Sequence, residues 1–345
     1  MTQITAPNAK QLAEILAAAP DAVASIAGYK PRQPHPLAER MKLLDLAFAC
    51  AAKARKPRSS ESRLAFAGFG LGTMDFPTLL ADGLKHATVA SYDAQAAHAA
   101  YCARIAVEDF HPLNLPALDG GIELEELAEG ARCTSFVGLV AAGGIKVQLR
   151  TFARKIGLTR QSVINNDLAA FARSVISTGA TAARIEARLV AAELEKNRPL
   201  DDESPVFHAD FLNVVGSALS QTSLGQALGC LRKQKTSAGQ LADLAGRHLV
   251  VEPDLEMTAR ELVRNAGLDL QVSVLAHLPA GRWYLLAAPD AHPVIGLLRL
   301  HDSRSPIRVE PQRRPQLYDG AVVGTVADVG ACLLRRTGIV RGGSV

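Results

Sequence analysis

The stretch IKVQLRTFARKIGLTRQSVINNDLAAFARSVISTGATAARIEARLVAAELEK, residues 145–196, changes period part-way along. Ile145, Val147 and Leu149 alternate with Lys146, Gln148 and Arg150, the two-residue period of a half-buried strand. Gly143-Gly144 stands just before it, so the strand is predicted as the second arm of a long hairpin. From residue 162 the period becomes helical, with Leu168, Phe171, Val175, Ile176, Ala183, Leu189 and Val190 on one face. Asn165, Asn166 and Asp167 offer capping chemistry at its start, and Asn197-Arg198-Pro199 ends it. The spacing predicts a helix over 162–196 that is long for a globular protein, with Gly179 as a bend or break.

Working outward, residues 8–19 predict a short alanine-rich helix and residues 36–54 a second one, separated by Pro31, Pro34 and Pro36. The basic linker KARKPRSSESR then supplies Lys53, Arg55, Lys56 and Arg58 before the first acid, Glu61, and marks the clearest boundary in the chain. AFAGFGLGTMDFP reads as flexible and glycine-rich, and a helix with a weak stripe is expected over about 76–103. Beyond the long helix, helices are predicted near 222–234 and 255–265, and strands at 247–251, 270–276, 282–287 and 294–300. Residues 307–341 read as short strands and turns. No internal repeat is present. A hairpin, a long helix and a mixed segment together give an α+β fold class.

Of the 345 residues, 48% are hydrophobic and 21% charged, which excludes wholesale disorder. No run of about 18 apolar residues exists to span a bilayer as a helix. The first twenty residues have no basic region before an apolar stretch and contain Glu14, so a secretory signal is not expected. A net charge of +4 is mild for a dedicated nucleic-acid binder, and 5% aromatics disfavours a stacking platform for single strands. Cys50, Cys102, Cys133, Cys230 and Cys332 are odd in number and lack a CxxC, so they read as reduced thiols of a cytosolic protein.

Motifs for chemistry are weak. Gly68-Phe69-Gly70-Leu71-Gly72 lacks both the GxGxxG spacing and a Gly-Lys-Ser/Thr end, so a linker is the preferred reading. His208 and Asp210 have the spacing of an acid–base or metal pair, yet no second ligand cluster stands nearby, and a structural turn is preferred. Cys230 reads as a packed hydrophobe on an amphipathic helix. No catalytic residue, cofactor or metal is expected. Two charge patterns leave alternatives open. Glu123, Glu125, Glu126 and Glu129 lie on one hairpin arm, and Lys146, Arg150, Arg154 and Lys155 on the other. A solvated face and an arm meeting complementary charge on a neighbouring subunit both fit. The run Lys53, Arg55, Lys56 and Arg58 fits a solvated linker, or contact with DNA phosphates or an acidic scaffold through many copies.

Four stretches carry a family resemblance: GTMDFPTLLADGLKHA (72–87), VEDFHPLNLPAL (107–118), IGLTRQSVINNDLAAFARSV (156–175) continuing into AARIEARLVAAEL, and VFHADFLN (206–213) followed by LRKQK (231–235) and RHLVVEPDLEMTA (247–259). DVGA (328–331) also fits. In their order over about 72–341 they resemble the major capsid proteins of tailed phages, specifically the Mu-like gpT major head subunit group, a module also found in prohead protease–capsid fusions. Departures are Phe211-Leu212-Asn213, where the family has His-Gly-Asn after its Asp, and the missing aromatic after DVGA.

The resemblance implies a Hong Kong 97-like capsid fold. Residues 1–57 would be a helical N-terminal extension acting as scaffold or removable pro-segment, 58–119 an N-terminal arm and helix, and 120–157 the E-loop hairpin. Residues 158–203 would form a P-domain with its spine helix, 204–303 an A-domain, and 304–345 the return strands of the P-domain. The implied function is that of a virion head protein, self-assembling from hexamers and pentamers in the bacterial host cytoplasm into an icosahedral shell around double-stranded DNA. Implied partners are a portal and a prohead protease, scaffold or decoration protein, with DNA held non-specifically and no membrane. Interface candidates are Glu123, Glu125, Glu126 and Glu129 against Lys146, Arg150, Arg154 or Arg184, with Gly138, Gly143 and Gly144 as hinges. The rivals are an encapsulin-like nanocompartment, an enzyme using His208 and Asp210, and a tail or scaffold component.

Overall fold

The structure, a computed structural model, describes residues 7–29, 34–58, 61–115, 145–199, 204–236, 239–301, 303, 305–313 and 319–343. Four helices come first: α1 (Ala9–Ile26), α2 (Leu43–Ala54), α3 (Arg63–Leu71) and α4 (Asp75–Gln95). Strands β1 (Ala103–Val107), β2 (Leu113–Leu115), β3 (Ile145–Val147) and β4 (Arg150–Thr159) follow, then α5 (Arg160–Ile164) and α6 (Ala169–Lys196). Next come β5 (Val214–Val215), α7 (Gln221–Lys233), β6 (Gly246–Val251), α8 (Glu256–Asn265) and β7 (Gln271–Val274). The chain closes with β8 (Trp283–Ala287), β9 (Ile295–Leu300), β10 (Ile307–Gln312), β11 (Gly320–Leu333) and β12 (Ile339–Gly342).

The chain divides into two compact units, each assembled from three separated segments. The first holds 1–95, 151–183 and 304–328, and the second holds 96–150, 184–303 and 329–345. In the first unit, Ala19, Ala22 and Val23 of α1 and Leu43, Leu46 and Phe48 of α2 share one core with Phe76, Leu80 and Leu84 of α4, Leu158, and Phe171 and Val175 of α6. The segment read as an N-terminal extension thus supplies part of this core. The stretch expected to be a flexible glycine-rich linker is instead α3. Ser62 caps it by accepting from the Ala65 amide at 3.2 Å, and Phe66 packs edge-on against Phe48 at 5.1 Å. Its glycines do not break it, because alanine, leucine and phenylalanine supply a buried face.

Close helix crossings explain two other glycines. A Cβ on Gly83 of α4 would run into Val23 and the Pro20 carbonyl of α1, and one on Gly179 of α6 would overlap the Thr88 carbonyl of α4. Gly179 is therefore neither bend nor break: α6 runs unbroken through it. The helix expected over 162–196 is two, since Asn165 caps α5 and Asn166 takes a left-handed φ of 57°. The Asn166 side chain does not cap α6. Its Oδ1 accepts from the Leu43 amide at 2.8 Å, serving an orphan donor at the start of α2. Here β10 pairs antiparallel with residues 322–327 of β11.

In the second unit, a sheet runs in the order β5-β12-β8-β6-β7, buried on both faces. Leu249, Val251, Trp283, Leu285 and Val340 face Leu224, Ala227 and Leu231 of α7 and Ala259 and Val263 of α8. The intervening Val250, Tyr284, Leu286 and Ile339 face Val190 and Leu194 of α6 and Tyr101. That two-sided burial is why WYLLA of β8 shows no polar alternation. β1 pairs parallel with β9, and β9 antiparallel with residues 330–333 of β11. β11 is a single strand of 14 residues, longer than the short pieces expected there. β2 and β3 pair antiparallel through Leu113–Val147 and Leu115–Ile145.

Candidate functional site

The alternation read at residues 145–150 is present where side chains are described: Val147 and Leu149 are buried, and Gln148 and Arg150 exposed. Lys146 lies on β3. Arg154 and Lys155 are exposed on β4, as is Arg184 on α6. Glu123, Glu125, Glu126, Glu129, Gly138, Gly143 and Gly144 lie outside the described residues, as does most of the hairpin expected over 120–157.

The basic run is partly committed within its own unit. Lys53 Nζ donates to Asp75 at 2.5 Å. Arg55 makes a two-bond fork to Glu61 at 2.6 and 3.0 Å and lies over Phe66 and Phe69 at 5.0 and 4.5 Å. The Arg55 hydrogen bond holds the Glu61 carboxyl below its ordinary value. These pairs remove two of the four positive charges from the pool available to phosphates. Lys56 and Arg58 are exposed.

The groups considered for chemistry are not arranged for it. His208 Nδ1 lies 3.3 Å from Asp210 Oδ2, with side chains 52% and 82% exposed. The imidazole accepts from the Asp210 amide inside a turn that Leu212 closes with φ 52°. Asn213 ties that turn down, donating to the Val206 carbonyl at 2.7 Å and accepting from the His208 amide at 3.0 Å. Burial pushes the Cys50 and Cys332 thiols up to about 12 and the Cys102 thiol well above its ordinary value. All three are thiols at neutral pH, unsuited to nucleophilic attack. Cys230 is half-buried on α7. Among the described residues no group of three His, Cys, Asp or Glu is placed to hold a metal ion. None of the described single helices is long and apolar enough to cross a membrane.

Two buried polar clusters escaped the sequence reading. In the second unit, Glu186 of α6, His98 and Arg299 of β9 are all buried. His98 Nε2 lies 2.8 Å from Glu186 Oε2, and the Arg299 guanidinium forks onto both Glu186 oxygens. The signal was legible: Glu186 falls between Ala183 and Val190 on the apolar face, and Arg299 interrupts the apolar run of β9. In the first unit, buried Asp328 accepts from Thr151 Oγ1 at 2.6 Å and from Arg308, so the Asp of DVGA is a fastener between strands. These clusters tie buried segments together within each unit.

The model of the family described as phage capsid protein matches residues 144–342, more than half of the chain. The chain belongs to the phage capsid protein family. Its capsid-family region covers β3 to β12, and with them α6 and all of α7 and α8. Helices α1 to α4 stand outside the match. No curated protein matches this capsid-family chain. Among solved structures it is similar to the virus-like particle from Pyrococcus furiosus (13% identity, TM-score 0.46, covering 75% of this chain and 96% of that one). It is also similar to the capsid of Cyanophage P-SCSP1u (11%, 0.41, 72% and 88%) and to a chain of Mycobacterium phage Bobi (10%, 0.44, 72% and 91%).

Proposed function

We propose that this chain is the major head protein of a tailed phage or prophage, self-assembling into an icosahedral shell that encloses double-stranded DNA. The observation that carries the reading is the capsid-family match across residues 144–342. Of the stretches that carry the resemblance to the Mu-like gpT group, those from residue 156 onward lie inside the match and those at 72–87 and 107–118 lie before it, and a Hong Kong 97-like arrangement is the fold proposed with it. On this reading α6 is the spine helix, β5, β8, β6 and β7 belong to an A-domain whose sheet β12 of the 304–345 return segment joins, and β2 and β3 are the base of an E-loop. Cys50, Cys102 and Cys332 are buried thiols, His98 is paired with Glu186 and His208 sits on an exposed turn, which supports binding work over catalysis at these positions.

Shell formation asks one surface to satisfy several slightly different neighbours. Lys146 and the exposed Arg150, Arg154 and Arg184 are the proposed partners of Glu123, Glu125, Glu126 and Glu129 of a neighbouring subunit. The portal, a maturation protease, a scaffold or decoration protein and packaged DNA are proposed partners, and virion assembly in the bacterial cytoplasm the proposed setting. Electron microscopy of the purified chain, with native mass spectrometry on the same sample, tests the reading. Uniform closed shells are expected, alone or on co-expression with neighbouring head genes. Continued absence of shells in both settings rejects it, and shells that load a protein cargo in place of DNA favour the nanocompartment.

A further inference from the structure

β8 and β12 pair antiparallel with Arg341 opposite Tyr284. Cross-strand partners share a face of the sheet, and residues two apart on one strand do the same. Arg282, two residues before Tyr284, therefore joins Arg341 on that face, where the end of α6 brings Glu195. The Tyr284 hydroxyl donates to Glu195 Oε1 at 2.7 Å, and Arg282 Nε lies 3.3 Å from the same oxygen. The Arg341 guanidinium stands 4.8 Å over the Phe207 ring, which sets its plane.

Neither charge nor hydrogen bonding closes in this cluster. Glu195 is paired with Arg282 through an oxygen that already accepts from Tyr284, and Arg341 adds a second positive charge on the same face. Arg282 Nη1 and Arg341 Nε are buried without a hydrogen-bond partner, and Arg282 Nε, though near Glu195, is not aligned for a hydrogen bond. Buried polar atoms are otherwise nearly always paired, and an exception marks a place where a water, ion or ligand can pair with them. The cluster opens to solvent: the Glu195 side chain is 25% exposed, that of Arg282 is 11% exposed, and Arg341 is half-buried. A cation is disfavoured by the surplus positive charge, and a neutral ligand would leave it uncompensated.

We infer that Arg282 and Arg341 form a receptor for a single oxyanion, a carboxylate or a phosphate group, seated beside Glu195. The guanidinium fork matches both groups with parallel N–H bonds. Glu195 competes with the ligand for Arg282 and so weakens the site. The inference stands on this cluster alone and does not need shell assembly.

The test is titration of inorganic phosphate, and separately of acetate, into the purified full-length chain at constant ionic strength set with chloride, followed by calorimetry. One saturable site is expected. Arg341→Met should weaken it about ten- to a hundredfold, the range for a charge-assisted hydrogen bond. Glu195→Gln should tighten it, which a purely structural role for Glu195 would not do. Arg341→Lys guards against misfolding of the methionine variant, since it keeps the charge and loses the fork, and it should weaken binding too. No saturable uptake of either anion by the wild type overturns the inference, as does uptake unchanged in both Arg341 variants. Mass photometry separates the two sources of the group. Dissociation of wild-type oligomers by phosphate, absent in Arg341→Met, assigns the site to a carboxylate of a second copy. Binding with no change in oligomer assigns it to a free anion.

Discussion

Glu186 sits where the helical period asks for an apolar side chain, and the chain meets that cost with two partners. A buried ion pair adds little net stability when intact, but breaking it strands a charge. Glu186→Ala leaves Arg299 and His98 buried without their carboxylate. It should lower the unfolding free energy by about 3–5 kcal/mol, read from the denaturant midpoint, and a loss below about 1 kcal/mol, the scale of a surface pair, would refute the buried role. His248 makes a second residue-scale prediction. Burial first, and then the neighbouring Arg247 charge, hold its imidazole below the ordinary 6.5, and its Nδ1 has no hydrogen-bond partner. As pH falls through 6.5 the unfolded chain takes up this proton before the folded one does. The stability His248 permits is therefore complete above that value and declines below it. Denaturant unfolding at pH 7.5 and 5.5 should show a smaller drop in the His248→Gln variant than in the wild type, and equal drops would remove His248 as the cause.

At the scale of elements, α1 and α2 are the test case. Val23, Leu43, Leu46 and Phe48 are buried in the first unit's core. Each such side chain contributes about 1.5–3 kcal/mol on burial, so the four together rival the whole net stability of a domain, about 5–15 kcal/mol. Deleting residues 1–57 should give an aggregated chain or one with exposed apolar surface, measured by dye binding and a lost thermal transition. A soluble, cooperative fragment beginning at residue 58 would show that the segment is a removable extension. The sequence reading separated this segment because its linker is basic and its prolines are clustered, and both features are local. What joins it to the rest is not local: the Leu43 amide finds Asn166, and the α1 backbone finds the bare surface of Gly83. The same limit hid α3, whose glycines suggest a loop until Phe48 is placed beside Phe66. Where one element carries its own period, expectation and structure agree. Val147 and Leu149 alternate as expected, and α7, β6, α8, β7, β8 and β9 stand within a few residues of their expected positions. The Glu186 cluster was visible as a charge on an apolar face, whereas the pairing of Arg282 with Arg341 needed the register of β8 and β12.

At the scale of the whole molecule, the proposed function places the acidic residues of 123–129 against basic residues of a neighbour. Lys53 and Arg55 are less available than the sequence suggests, since Asp75 and Glu61 hold them. Replacing Glu123, Glu125, Glu126 and Glu129 together by lysine should abolish or strongly reduce shells, scored by electron microscopy, while circular dichroism and the thermal midpoint of the unassembled chain stay as in the wild type. Normal shells from that variant would remove the charge role and leave the shell reading in place.

The division of each unit into three chain segments bears on how the protein is made. The first unit lacks β10 and half of β11 until residue 328 has been synthesised, and the second lacks the rest of β11 and all of β12 until residue 342 has been. Domain-by-domain folding during translation, common in large chains, is therefore closed to both. Nascent chains stopped anywhere before about residue 300 carry two unfinished cores, so truncated products have no folded half to rescue them. Chaperone engagement should therefore last until both strands are made, and the two units reach completion almost together, at residues 328 and 342.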